Sequence, residues 1–248
     1  MERSDVETTT PAWKVLYRFG GIAALLMIGI IIIQMIVFMT VPPPLEGSAI
    51  DWFRLFQKNK LIGLIDFELL MLVYTIISIP VTLSLYHALK RNDQAFTALY
   101  VILSIIGVVF FVAARPVFEM LWLSDQFAAA TTEAQRTIFL AAGEATLAAF
   151  HGTSFQVSYV LGSIAGLIIS LVMLRSQVFS RATAYVRIAS SVLDFGLYVP
   201  GIGLFLSIFS VLFLFIWNIM IARRLFQLAR ADSLHPLMKH PVEANPTI

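Results

Sequence analysis

Six stretches of this chain are apolar for about as long as a bilayer is thick, and nothing else restricts the fold as strongly. A helix rises about 1.5 Å per residue, so roughly 20 apolar residues cross the hydrocarbon core. The stretches are 19–41, 61–89, 95–114, 155–174, 182–199 and 202–222. Pro42, Pro43 and Pro44 stop the first, because proline lacks the amide hydrogen and clashes with the preceding turn. Arg115 and Pro116 close the third. The fifth and sixth meet at Pro200-Gly201, a turn signal. Read as one helix they would be about 60 Å long, twice the hydrocarbon thickness, so a tight hairpin is the better reading.

Composition agrees. The 248 residues are 59% hydrophobic and 13% charged, with a mean hydropathy of +0.86. A soluble domain is about 45–50% apolar and about 25% charged. Too little polar surface exists to cover a globule, so the lipid bilayer is the expected partner. The pI near 9.0 reflects basic residues at the ends of apolar runs rather than a basic stripe, so no nucleic acid is expected. With no cysteine, disulfides, thiolate catalysis and iron–sulfur clusters are excluded. The first run is too long for a signal-peptide core of roughly 7–15 residues and reads as a retained helix.

Lys and Arg set orientation. With the N-terminus inside, the inner side carries 12 of them and the outer side 5. Both termini inside also fits an even number of spans. The sequence therefore predicts an all-α, polytopic transmembrane bundle of six spans in the cytoplasmic membrane. Its parts are a cytoplasmic segment 1–18, a membrane domain 19–225 and a cytoplasmic tail 226–248 with Pro236, Pro241 and Pro246.

Two outer segments carry structure of their own. After Ser48-Ala49-Ile50-Asp51, the residues Trp52, Phe53 and Phe56 share one helical face, which predicts an interfacial helix before span 2. Before span 4, Thr132-Glu133-Ala134-Gln135 has capping-box spacing and opens a helical segment over 132–150. That segment either extends span 4 or lies on the membrane surface.

Span 4 bears a ladder of small residues four apart: Ser154, Ser158, Gly162, Gly166 and Ser170. Small residues at this spacing let helix backbones approach closely, within the chain or in a homodimer or larger complex. Gly162→Leu is therefore expected to damage folding far more than Asp194→Asn.

Polar groups inside spans are costly and usually face the bundle interior or an aqueous cavity. Asp66 and Glu68 stand at the outer end of span 2, Arg115 at that of span 3, His151 at the entrance of span 4 and Asp194 in the outer half of span 5. Together they are a candidate outward polar site. Carboxylates with a histidine suit acid–base work or cation binding; the plainer reading is an ion pair of Arg115 with Glu68 or Asp194 that fixes helix register. No H-E-x-x-H, G-x-S-x-G or Walker pattern occurs, no metal site is expected from four histidines so placed, and no cofactor is implied.

Three segments carry a resemblance: Leu85-Tyr86-His87-Ala88-Leu89-Lys90-Arg91, then Leu174-Arg175-Ser176-Gln177-Val178-Phe179-Ser180-Arg181-Ala182-Thr183-Ala184, then Trp217-Asn218-Ile219 with Ala222-Arg223-Arg224-Leu225. With these the chain resembles a prokaryotic six-span membrane-protein family, domain of unknown function 4386, over about 19–225. The resemblance implies a multi-pass fold in the cytoplasmic membrane and carries no activity. The expected function is non-catalytic, either binding a small molecule or serving as an accessory or structural subunit. The alternative is a transporter or membrane-embedded enzyme using the outward polar cluster.

Overall fold

The computed structural model describes residues 11–231. Expectations for 1–10 and 232–248, including the three tail prolines, lie outside the described residues. The chain is all helical where it is described. Long helices are α1 (Pro11–Thr40), α4 (Leu69–Leu89), α5 (Gln94–Ala113), α8 (Thr153–Arg175), α9 (Arg181–Phe195) and α10 (Gly203–Ala231). Shorter ones are α2 (Ala49–Lys58), α3 (Lys60–Asp66), α6 (Val117–Ala129) and α7 (Glu133–Phe150).

The long helices lie side by side. α1 packs on α4, α4 on α5, α5 on α8, α8 on α9, α9 on α10 and α10 back on α1, closing a ring. Leu85, Ile169, Met173, Ile221 and Leu225 fill its middle and are fully or almost fully buried. Phe19, Leu26, Ile36, Ile102, Phe205 and Ile208 point outward and are exposed. A water-soluble protein does not display apolar surface on this scale. Among the described residues, five stretches are long and apolar enough to cross a membrane: Ala12–Thr40, Leu69–Leu89, Gln94–Ala129, Glu133–Arg175 and Phe205–Arg230. The 15-residue α9 is not among them: it is too short, and Arg181, Arg187 and Asp194 lower its hydropathy further.

Several boundaries differ from the apolar runs. α1 starts at Pro11 rather than 19, and α10 continues to Ala231, so the helical domain reaches into both expected terminal segments. Hydropathy reads only the apolar core of a helix whose ends are polar. The run 61–89 is two helices, α3 and α4, broken at Phe67–Glu68, where Glu68 adopts φ +68°. The region after Arg115 holds two helices, not one, and Gly152 in extended conformation separates α7 from α8.

α2, α3, α6 and α7 form a cap at the end of the ring where α1 and α5 finish and α8 begins. Trp52, Phe53, Phe56, Phe67, Val117, Met120 and Phe150 make its own core. Each such side chain contributes about 1.5–3 kcal/mol when withdrawn from water. The aromatic face of α2 is thus spent on α6, α7 and Phe67 and is not left facing lipid. Local chemistry starts these helices. Asp51 accepts from the Ser48 amide at 3.1 Å, Thr132 and Gln135 close their capping box, and Glu144 accepts the first amide of α2 at 2.8 Å.

Candidate functional site

Arg115 stands in the break between α5 and α6, where Pro116 disfavours continued helix at the preceding residue. The interruption aims its side chain into the junction of cap and bundle. There Nε donates to Glu68 Oε2 at 2.6 Å, and one terminal nitrogen donates to the carbonyls of Phe150 (3.2 Å) and Ala114 (3.3 Å). The rings of Phe150, Phe111 and Phe155 wall the guanidinium, with centroids 4.2, 4.4 and 4.6 Å away. The Arg115 side chain is 2% exposed and that of Glu68 26%. One cation therefore touches α4, α5, α7 and α8 at once. Glu68 occupies a left-handed backbone position that favours glycine, at a cost of about 1–2 kcal/mol. Pairing with Arg115 offsets that cost.

Asp66 lies two residues away and is 1% exposed, with no hydrogen-bond partner on either carboxylate oxygen. Gln34 of α1 reaches the same turn. Its amide donates to the Ile65 carbonyl at 3.1 Å, and its own buried oxygen is unpaired. Burial pushes the Asp66 carboxyl from 3.8 up to about 6. A carboxyl raised in the folded state stabilises the fold below its unfolded pKa, and that contribution is lost as pH rises through about 6. Thermal melts should accordingly show stability falling by up to about 3 kcal/mol between roughly pH 4 and pH 7. Asp66→Asn should flatten that slope and raise stability at neutral pH. An unchanged slope would assign it to another group.

Asp194 belongs to a different cluster. Its Oδ1 accepts from Ser210 at 2.5 Å and from Tyr159 at 3.5 Å, while the Tyr159 hydroxyl pairs with Ser207 at 2.6 Å. These groups join α8, α9 and α10. Phe155, one of the rings around Arg115, lies 5.6 Å from the Tyr159 ring. No ion pair joins Asp194 to Arg115. His151 caps the end of α7, its Nδ1 3.2 Å from the Leu147 carbonyl; it is exposed, edge-on to Phe150. Of the five candidate residues, Glu68 is bonded to Arg115, Asp66 is buried two residues from Glu68, His151 follows Phe150 and lies edge-on to its ring, and Asp194 takes its hydrogen bonds from α8 and α10. Among the described residues no three histidine or carboxylate side chains converge as metal ligands.

Sequence reasoning missed the partners Tyr159, Ser207 and Ser210, and the three phenylalanines around Arg115. On α9 the Arg187 guanidinium lies 5.2 Å from the Trp217 ring centroid and 3.4 Å from Ser190, against the α8 surface at Gly166. Nearby, Asn218 donates to Tyr74 at 3.2 Å, linking α10 to α4 across the ring.

The small-residue ladder serves two neighbours. Successive helix positions turn by about 100°, so an i+4 row drifts about 40° per step. Five rungs therefore wind well around the helix. The Ser158–Gly162 backbone lies against Gly107 of α5, whose added Cβ would sit 3.6 Å from the Ser158 carbonyl. Gly166 faces α9, where an added Cβ would collide with Ser191 and with Arg187 at 2.7 Å. Ser170 is fully buried and bonds back to the Gly166 carbonyl. Gly162 itself has open space where its Cβ would be.

No curated protein and no solved structure matches the chain. The family described as Domain of unknown function (DUF4386) matches residues 22–226, most of the sequence and all six long helices in part or whole, and the protein belongs to that family.

Proposed function

We propose that this is a non-catalytic protein of the cytoplasmic membrane, an accessory or ligand-binding subunit, in which six spans carry a helical cap on the outer face. The observation that supports it is the engagement of Arg115. The one cation of the outward cluster is bonded to Glu68, to two carbonyls and to three rings, and so acts as a tie between cap and bundle. The cap also carries exposed ion pairs, Lys60–Asp125 at 2.8 Å and Arg136–Glu133 at 3.3 Å, as a surface in water does.

Counting α9 as a span rests on its neighbours. It runs antiparallel between α8 and α10, with Asp194 level with Tyr159 and Ser210 at one end and Arg187 level with Gly166 and Trp217 further down. At about 22 Å it is short, but a 3-10 turn over Gly196–Tyr198 lengthens it. Both termini are then cytoplasmic, in line with the excess of Lys and Arg on that side.

The absence of cysteine makes the test clean. In intact cells a membrane-impermeant maleimide should label Glu133→Cys and Tyr198→Cys, whereas Gln177→Cys should label only after permeabilisation. Labelling of positions 177 and 198 from the same side would show that α9 does not cross. Labelling of 133 only after permeabilisation would invert the orientation.

A further inference from the structure

The stretches 174–184 and 217–225, which carry the family resemblance, have no part in the tie between cap and bundle. In the fold they come together. The connection between α8 and α9 lies against the last turns of α10, where Arg224 Nε donates to the Val178 carbonyl at 2.5 Å and another of its nitrogens reaches Gln227 at 3.1 Å. Between them is a cavity of about 640 Å³. That is the size of a small-molecule site, about 300–1,000 Å³.

Its lining is one-signed. Arg181, Arg223 and Arg224 contribute, with Ser180 and Thr183 beside them, and among the described residues no aspartate or glutamate lines it. Arg181 and Arg223 are exposed, and among the described residues neither makes an ion pair or hydrogen bond. Arg224 is already oriented by the Val178 carbonyl. Arg181 also opens α9, whose amino end adds positive potential. Ordinary topology-setting arginines need only lie near the membrane surface; these three converge on one hollow. Guanidinium groups match phosphate oxygens in paired hydrogen bonds. Leu174 and Met220 supply an apolar wall, as a basic pocket between membrane helices does for a lipid headgroup.

We propose that this cavity binds a phosphate-bearing anion, supplied either as the headgroup of an anionic phospholipid or as a free phosphorylated small molecule. The proposal does not depend on the cap reading or on the orientation of the chain. It is tested on the full chain in nanodiscs, by thermal melting and by native mass spectrometry of retained lipid. Relative to phosphatidylcholine alone, phosphatidylglycerol should raise the melting temperature if a lipid is the source. Inorganic phosphate or pyrophosphate at millimolar concentration, added to phosphatidylcholine discs, should do so if the source is free.

The double substitution Arg181→Gln/Arg223→Gln should weaken whichever response occurs by at least about tenfold in apparent affinity. Arg175→Gln removes an exposed arginine at the same end but outside the cavity and should keep the wild-type response. If the double variant does not fold, competition between phosphatidylglycerol and pyrophosphate for the wild-type chain decides: two ligands of one site displace each other. The proposal is overturned if neither probe stabilises the protein, if Arg175→Gln loses the response equally, or if the double variant responds like the wild type.

Discussion

Arg115→Ala should destabilise the protein by about 3–5 kcal/mol, the range for removing one partner of a buried ion pair. The loss has three parts. Glu68 keeps its charge in a left-handed turn without a counter-ion. The Phe150 carbonyl loses its side-chain donor, and the three rings around the guanidinium are left facing a void. Because Arg115 touches both the cap and the bundle, the first consequence should be release of the cap. Limited proteolysis should then cut α6 and α7 before the long helices. Arg115→Met with Glu68→Gln removes both charges while keeping much of the volume, and should recover a large part of the lost stability. A single Arg115→Ala variant with wild-type melting and protease resistance would show that the tie carries no weight.

Gly166→Leu should be the second large effect, and it separates two glycines that look equivalent in the sequence. An added Cβ at Gly166 meets Ser191 and the Arg187 guanidinium, whose nitrogens lie 2.7 and 2.8 Å away. Those side chains cannot retreat freely, because Arg187 is already stacked on Trp217 and Ser191 is fully buried. Overpacking of this kind typically costs about 1–3 kcal/mol, and a whole leucine should reach the upper part of that range by forcing α8 and α9 apart. A Cβ added at Gly162 meets no neighbour within 4 Å. Replacing a helical glycine there gains about 0.5–1 kcal/mol of helix propensity. Melting in mild detergent should therefore rank Gly166→Leu well below wild type and Gly162→Leu at or above it. Equal damage at both positions would mean that the ladder packs against a surface beyond this chain.

Open space at Gly162 removes the ground for expecting Gly162→Leu to damage folding far more than Asp194→Asn, and the reason is geometric. A row of small residues announces close approach, but the helix turns as it rises, so the row does not say which rung meets which neighbour. Asp194 makes the same point. Its position in an apolar run announces a polar partner, and the structure supplies Ser210 and Tyr159 from two other helices. Serines and a tyrosine in apolar segments carry no signal that they pair with a particular carboxylate. The cap was hidden for another reason: α2 has a clear aromatic face, yet apart from Phe67 the surface that covers it belongs to α6 and α7, whose bonds to α2 span 67 to 95 positions.

What the sequence determined by itself is the membrane class and the long helices, because burying apolar length in lipid is a local property that each run satisfies alone. It also marked the residues at the helix ends, among them Glu68 and Arg115, since charge beside an apolar run is visible without a fold. Only the tertiary structure decided what those residues do. It closed the helices into a ring, broke span 2 at Glu68, joined Glu68 to Arg115 while leaving Asp66 buried and Asp194 elsewhere, and drew two distant arginine-bearing segments around one cavity. Each of those outcomes depends on which helix faces set against each other, and packing across distant segments is not written in any single stretch of chain.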